Sequence, residues 1–131
     1  MSQRIVLLGG GGMATACGLV LAERSDVDIT LWCRRRDGAE HIAKSRENPH
    51  LPGVRLPALI KESADPNCLE AGDWIVVAIP TKYLRETITP FGGLVGDGTP
   101  VISVVKGLEL GTLDRPSEIM LDGSRTGSTS W

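Results

Sequence analysis

A run of four apolar residues, Ile5-Val6-Leu7-Leu8, passes directly into four consecutive glycines, Gly9 to Gly12, and nothing else in the chain restricts its fold as much. An unbroken β-branched and leucine run reads as a strand buried on both faces, the way strands of a parallel sheet read. The glycines end it and mark a turn in which the backbone can come close to a neighbour or a ligand. From Met13 the residues Met13, Ala16, Cys17, Val20 and Leu21 recur at helical spacing, so a helix extends to about Arg24 with that set as its expected buried face. Ile29 to Cys33 is a second strand. From Ile5 to Trp32 is about thirty residues, the size of one βαβ unit with a right-handed crossover.

The same alternation continues. Asp37 and Glu40 have capping-box spacing, and Pro49 bars a helix from running further, so one is predicted from about Gly38 to Arg46. Asn48 to Pro57 holds three prolines and a glycine and reads as a loop of fixed shape, with a weak strand after it at Ala58 to Lys61. Asp65 and Pro66 fit an N-cap and a first helical residue, with Gly72 closing a short helix. Trp74 to Ile79 is the next buried strand; Pro80 breaks it, Thr81 can cap a helix, and Leu84, Ile88 and Phe91 give that helix its buried face. Val101 to Val105 is the last strand. Strands alternating with helices specify an α/β fold with a doubly wound parallel sheet of the Rossmann type.

Composition removes several other classes. The chain has 131 residues, 41% hydrophobic and 23% charged, which excludes a disordered or collagen-like polymer and suits one domain. With 14 Lys and Arg against 16 Asp and Glu there is no basic field for nucleic acid. Three cysteines, Cys17, Cys33 and Cys68, without a paired C-x-x-C spacing argue against a disulfide framework or zinc ribbon and suit a reducing cytoplasm. Apolar runs are strand-sized and the first residues lack a signal-peptide pattern, so neither a membrane partner nor export is expected.

Gly9-x-Gly11-x-x-Ala14 lies between the first strand and the first helix, the context in which this fingerprint points to a dinucleotide. Gly9 allows the tight turn, Gly11 lets backbone approach a pyrophosphate, and Ala14 keeps the helix near the strand. Amides from Gly12 and Met13 onward then face phosphate oxygens with the helix dipole behind them. The same glycines could also form a turn that binds nothing. After the second strand, where an NAD-selective fold places a carboxylate, the chain has Cys33, Arg34, Arg35 and Arg36. Guanidinium groups can grip a 2′-phosphate, which favours NADP(H) with NAD(H) possible, although a solvated basic loop reads the same way. Lys106, ending a strand before Gly107, should emerge at the carboxyl edge of the sheet, where it could hold an anionic group or simply face solvent. His41 and His50 lack neighbours at metal-ligand spacing, so no metal is expected. Asp73, at the margin of the expected cleft, reads as a structural cap or turn rather than a catalytic acid.

Five segments in order carry a family resemblance: Gly9–Ala16 (GGGGMATA), Thr30–Arg34 (TLWCR), Asn48–Pro57 (NPHLPGVRLP), Ala71–Pro80 (AGDWIVVAIP) and Ser103–Leu113 (SVVKGLELGTL). Together they resemble the N-terminal domain of the bacterial-type NAD(P)-dependent glycerol-3-phosphate dehydrogenases. The resemblance implies an oxidoreductase that interconverts dihydroxyacetone phosphate and glycerol 3-phosphate, a glycerophospholipid precursor, by hydride transfer with NAD(P)(H). It places Gly9, Gly11, Gly12, Met13 and Ala14 in the cofactor loop and Arg34 at the adenosine 2′ end. Lys106 falls where the family contacts both the nicotinamide cofactor and the substrate.

Gly12 and Met13 stand where the family has serine and tryptophan, Ala14 replaces its third glycine, and Pro116 falls inside one of its helices. The family continues into a helical C-terminal domain that carries the general-base lysine. The expectation is therefore a cofactor-binding domain at 1–120, a disordered tail or truncation scar at 121–131, no catalytic residue in these 131 residues, and little activity alone. Two alternatives stay open: the cofactor half of another two-domain dehydrogenase such as a ketopantoate reductase, and a non-catalytic dinucleotide-binding or redox-sensing module.

Overall fold

A computed structural model describes residues 2–91, 94–95 and 98–125. In chain order, β1 (Gln3–Leu8) leads through the glycines into α1 (Gly12–Leu21), β2 (Val27–Trp32) and α2 (Arg36–Ser45). A small hairpin, β3 (Glu47–Asn48) and β4 (Leu51–Arg55), precedes β5 (Ile60–Ser63), a 3-10 segment at Pro66–Ala71, and β6 (Trp74–Val77). Then come α3 (Thr81–Ile88), β7 (Val101–Ser103) and α4 (Pro116–Arg125). The main sheet is parallel throughout in the order β5-β2-β1-β6-β7. β1 is central, with Leu8 beside Trp32 on one side and Val77 on the other.

Alternate residues of each strand feed two cores, which is why the strands read as unbroken apolar runs. Ile5, Leu7, Ile29 and Leu31 pack with Ala14, Ala39 and Ile42 on the side of α1 and α2. Val6, Leu8, Ile75 and Val77 pack with Leu69, Leu84, Ile88 and Ile119 on the other. Among the described residues no helix is long and apolar enough to cross a membrane.

Several local expectations change. α1 keeps only part of its expected face: Cys17 and Leu21 pack against the first core, but its buried residues are Ala14, Thr15 and Gly18, while Met13 and Val20 are 55% and 67% exposed. That helix is apolar nearly all round, so size decides the contact. A Cβ on Gly18 would lie 3.2 Å from Leu7 Cδ1 and 3.4 Å from Ile60 Cδ1, so only the small-residue face can come this close. α2 begins at Arg36 without the capping box, and Asp37 Oδ1 instead accepts from the Gly38 N–H. The proline-rich segment is not all loop, because Asn48 and Leu51 pair across the β3–β4 hairpin. Thr81 does not cap α3; Pro80 holds that position, and Thr81 Oγ1 donates to the Lys106 carbonyl at 2.8 Å. Asp65 does cap its segment, accepting from the Asn67 N–H at 3.0 Å.

Pro116 disrupts nothing, since it opens α4, where its missing N–H would have no intrahelical partner. α4 continues to Arg125, so residues 121–125, expected in a tail, are helical; Ile119 and Met120 just before them are buried in the second core. The rest of the expected tail, 126–131, lies outside the described residues.

Arg46 ties the periphery together. It ends α2 in the left-handed region at φ 57°, and its carbonyl accepts from Leu56 N–H. Its guanidinium reaches Glu62 at 2.7 Å and the carbonyls of Pro57 and Ile60 at 2.6 and 2.7 Å. The ion pair is 19% and 13% exposed, so removing one partner strands the other in a poorly solvated place. Arg46→Ala is expected to lower unfolding free energy by about 2 to 4 kcal/mol in urea titration. A loss below about 0.5 kcal/mol, the level of an ordinary surface change, would refute this role.

Candidate functional site

The strand order reverses at β1, whose neighbours β2 and β6 lie on opposite sides, and such a switch point opens a crevice beyond the carboxyl ends of the strands. The glycine turn stands at that crevice. Gly9 has φ +135°, and a Cβ there would come within 2.9 Å of the Ala78 carbonyl oxygen. Its N–H donates to the Trp32 carbonyl at 2.9 Å, and Ala78 N–H donates to that of Leu8 at 2.9 Å. Gly11 is the N-cap of α1, with φ −84° and nothing within 4 Å of an added Cβ. A Cβ on Gly12 would meet the His50 carbonyl at 3.1 Å. Ala14 is fully buried, so the helix sits against the strand as the fingerprint requires.

A cavity of about 920 Å³ begins at Gly10, Gly11 and Gly12 and extends past Cys33 to Arg34 and Arg35. Its volume falls in the range of small-molecule and cofactor sites. Arg34 lies at its rim, pairing with Glu86 at 2.7 Å and lying 5.7 Å from the centre of the Tyr83 ring. Arg35 makes a looser pair with Asp37 at 3.7 Å, while Arg36 lines a separate hollow with Glu62 and Asp65. Burial, reinforced by the Glu62 charge, pushes the Cys33 thiol up to about 11, so it stays neutral near pH 7. Met13 is more than half exposed beside the turn.

Lys106 lies just beyond β7 at the carboxyl edge, exposed, with its carbonyl held by Thr81 and Gly107 at φ +101° after it. It does not line the cavity of the glycine turn and Arg34. Asp73 lies at the opposite end of the sheet: its Oδ2 accepts from Arg4 N–H at 2.9 Å, and its own N–H donates to the Arg4 carbonyl at 2.7 Å. His41 and His50 both line the cavity, which their sequence positions did not suggest. Among the described residues no group of three His, Cys, Asp or Glu could hold a metal ion.

Sequence reasoning missed Asn48, Thr15 and Tyr83. Asn48 and Thr15 are each 1% exposed. A threonine inside a helix and an asparagine before a proline both read as ordinary local structure, and only their approach across 33 positions distinguishes them. Tyr83 was signalled, if at all, by the Ile79-Pro80 break that starts α3 at the crevice.

The profile of the family described as NAD-dependent glycerol-3-phosphate dehydrogenase N-terminus matches residues 4–127. The chain is 36% identical over 127 residues to a glycerol-3-phosphate dehydrogenase [NAD(P)+] of Streptomyces avermitilis, covering 95% of this chain and 38% of that one. A Bacillus pumilus protein of the same name is 38% identical over 120 residues, covering 90% and 34%. Among solved structures, glycerol-3-phosphate dehydrogenase from Coxiella burnetii superposes with a TM-score of 0.85 at 26% identity, over 94% of this chain and 38% of that one. A ketopantoate reductase from Ralstonia eutropha gives 0.65 at 14% identity, over 95% and 38%, a likeness of fold alone.

The two glycines of the fingerprint should fail in different ways. Gly9→Ala forces a Cβ against a backbone oxygen at a positive φ and is expected to cost about 2 to 3 kcal/mol of stability in denaturant titration. The Cβ of Gly11→Val meets nothing within 4 Å, so its stability loss should stay near the N-cap cost of about 1 kcal/mol. It should nevertheless abolish dinucleotide binding measured by fluorescence titration. Unchanged affinity in Gly11→Val would place the ligand elsewhere.

Proposed function

The chain belongs to the NAD-dependent glycerol-3-phosphate dehydrogenase N-terminus family, and from that premise we propose that it is the cofactor-holding part of such an enzyme, binding NADP(H) in preference to NAD(H). The observation that carries this reading is the free space above Gly11 at the start of α1, opening into a cavity whose far rim is Arg34. Gly9 and Ala14 bring strand and helix together, Gly11 and Gly12 offer backbone to the pyrophosphate, and Met13 stands exposed beside the turn. Arg34 takes the adenosine 2′ end. A guanidinium attracts a 2′-phosphate that a carboxylate would repel, and Arg35 on the same cavity adds to the field.

The reaction is the interconversion of glycerol 3-phosphate and dihydroxyacetone phosphate, with the bound nicotinamide supplying or accepting the hydride. This chain's residues bind and orient. Lys106 is assigned to an anionic or oxygen-bearing group at the carboxyl edge, touching cofactor and substrate, and no general base is assigned within the 131 residues. The chain spans 38% of the length of its Streptomyces avermitilis relative. Two-sided enclosure and proton transfer are then tasks for groups outside the described residues, and orientation alone is worth about 7 to 11 kcal/mol of barrier.

Two measurements test this. Arg34 is already paired with Glu86 and its side chain is 56% exposed, so its grip on a phosphate is screened. Arg34→Ala should weaken NADPH binding about tenfold while NADH affinity changes less than about twofold. Equal losses for both would end the 2′-phosphate argument. Assayed alone with dihydroxyacetone phosphate and NADPH, the 131-residue chain should bind cofactor with negligible turnover, and fusion to the C-terminal part of a relative should restore it. Comparable turnover by the short chain would require a base among residues to which only structural roles are assigned, whereas binding without turnover even in the fusion would favour a non-catalytic module.

A further inference from the structure

We infer that Asn48 and Thr15 are positioning residues that aim the Gly11 and Gly12 N–H groups at the ligand, an assignment that rests on the cofactor reading above. Asn48, on the β3–β4 hairpin, donates from Nδ2 to the Gly10 carbonyl at 2.8 Å and to Thr15 Oγ1 at 2.6 Å. Its Oδ1 accepts from the His50 N–H at 3.0 Å. Because a backbone N–H can only donate, the amide oxygen must face His50 and the NH₂ must face the turn. Thr15 Oγ1 spends its single proton on the Gly11 carbonyl at 3.0 Å, the carbonyl that also receives Thr15 N–H at 3.2 Å. The Thr15 hydroxyl is therefore left as an acceptor for Asn48. Every polar group of this buried pair is engaged, and the partners include both inner carbonyls of the turn.

The consequence comes from the planar trans peptide, in which C=O and the next N–H point in opposite directions. Holding the Gly10 carbonyl toward Asn48 turns the Gly11 N–H away from it. Holding the Gly11 carbonyl along α1 turns the Gly12 N–H back beyond the helix start. Among the described residues neither N–H meets an acceptor, and both glycines line the cavity. Glycine peptides rotate easily, so without the two side chains these donors would sample several directions. The clamp fixes them before binding, and the ordering entropy is not charged to the ligand.

The test compares two probes on the full chain: NADPH, which carries the pyrophosphate, and 2′-AMP, which has the adenosine 2′-phosphate and no pyrophosphate. Asn48→Ala and Thr15→Val are expected to weaken NADPH about tenfold or more, with 2′-AMP affinity held within about twofold. Thr15→Ser keeps the hydroxyl and should bind NADPH like the parent. Should Asn48→Ala not fold, Thr15→Val and Thr15→Ser decide, since valine keeps the shape and puts a methyl in place of the hydroxyl. Parallel losses for both probes would reduce the pair to a fold support, and undiminished NADPH affinity in Thr15→Val would overturn the assignment directly. A parent chain that binds NADPH no better than 2′-AMP would overturn the cofactor reading itself, and this inference with it.

Discussion

Everything at the carboxyl edge of the sheet depends on how closely β1 and β6 approach where β1 ends. At Gly9 the backbone passes the Ala78 carbonyl at a distance that leaves no room for a Cβ. The same two segments are joined one residue earlier by the Ala78 N–H to Leu8 carbonyl bond. Because the strands stay together past the end of the ladder, the turn leaves the sheet steeply and delivers the start of α1 to the crevice. Gly18 applies the same constraint further along, where α1 lies on Leu7 and Ile60.

Gly10, Gly11 and Gly12 give the cavity a wall without side chains, and that explains which departures from the family sequence matter. The family's serine at position 12 would bring a Cβ to 3.1 Å from the His50 carbonyl, tight enough that the hairpin would have to shift. With glycine there, the hairpin closes onto the turn and Asn48 reaches both Gly10 and Thr15. A side-chain hydroxyl is absent from the loop, and a buried amide and hydroxyl stand behind it. Ala14 in place of a third glycine costs nothing visible, since its Cβ is accommodated with no exposure at all.

The sheet and the placement of the glycine turn were legible in the sequence because they rest on hydrophobic runs and on residues with one physical purpose. Ile5 to Leu8 could hardly be anything but a central strand, and Gly9 needed a conformation closed to other residues. The facing of α1 was legible only for Cys17 and Leu21: where Met13, Ala16, Leu19 and Val20 surround an apolar helix, periodicity cannot fix the face, and the deciding residue was the smallest one, Gly18. Thr81 looks like a cap because hydroxyl caps are recognised from local spacing, whereas its partner lies 25 residues away at Lys106. Asn48 and Thr15 were invisible for the same reason. Polar residues buried by long-range hydrogen bonds leave no period in the sequence.

The Lys-Gly-Leu-Glu segment shows how a charged motif can separate anchoring from function. Glu109 looks chemically active on paper, yet Arg85 on α3 grips both its oxygens at 2.9 to 3.1 Å and also reaches Asp114 at 3.0 Å. Hydrogen bonds from Arg85 and Thr112 hold the Glu109 carboxyl below the usual carboxylate range, so the anchor survives mild acidification. Thr81, one turn earlier on the same helix, fixes the Lys106 carbonyl. Between these two fastenings Gly107 turns the chain at φ +101°. The result is a lysine whose backbone is held at both sides while its ammonium makes no ion pair among the described residues. Under the proposed function, that ammonium is the group assigned to an anionic partner at the carboxyl edge. The acidic residue beside it is committed to the scaffold and cannot compete for that charge.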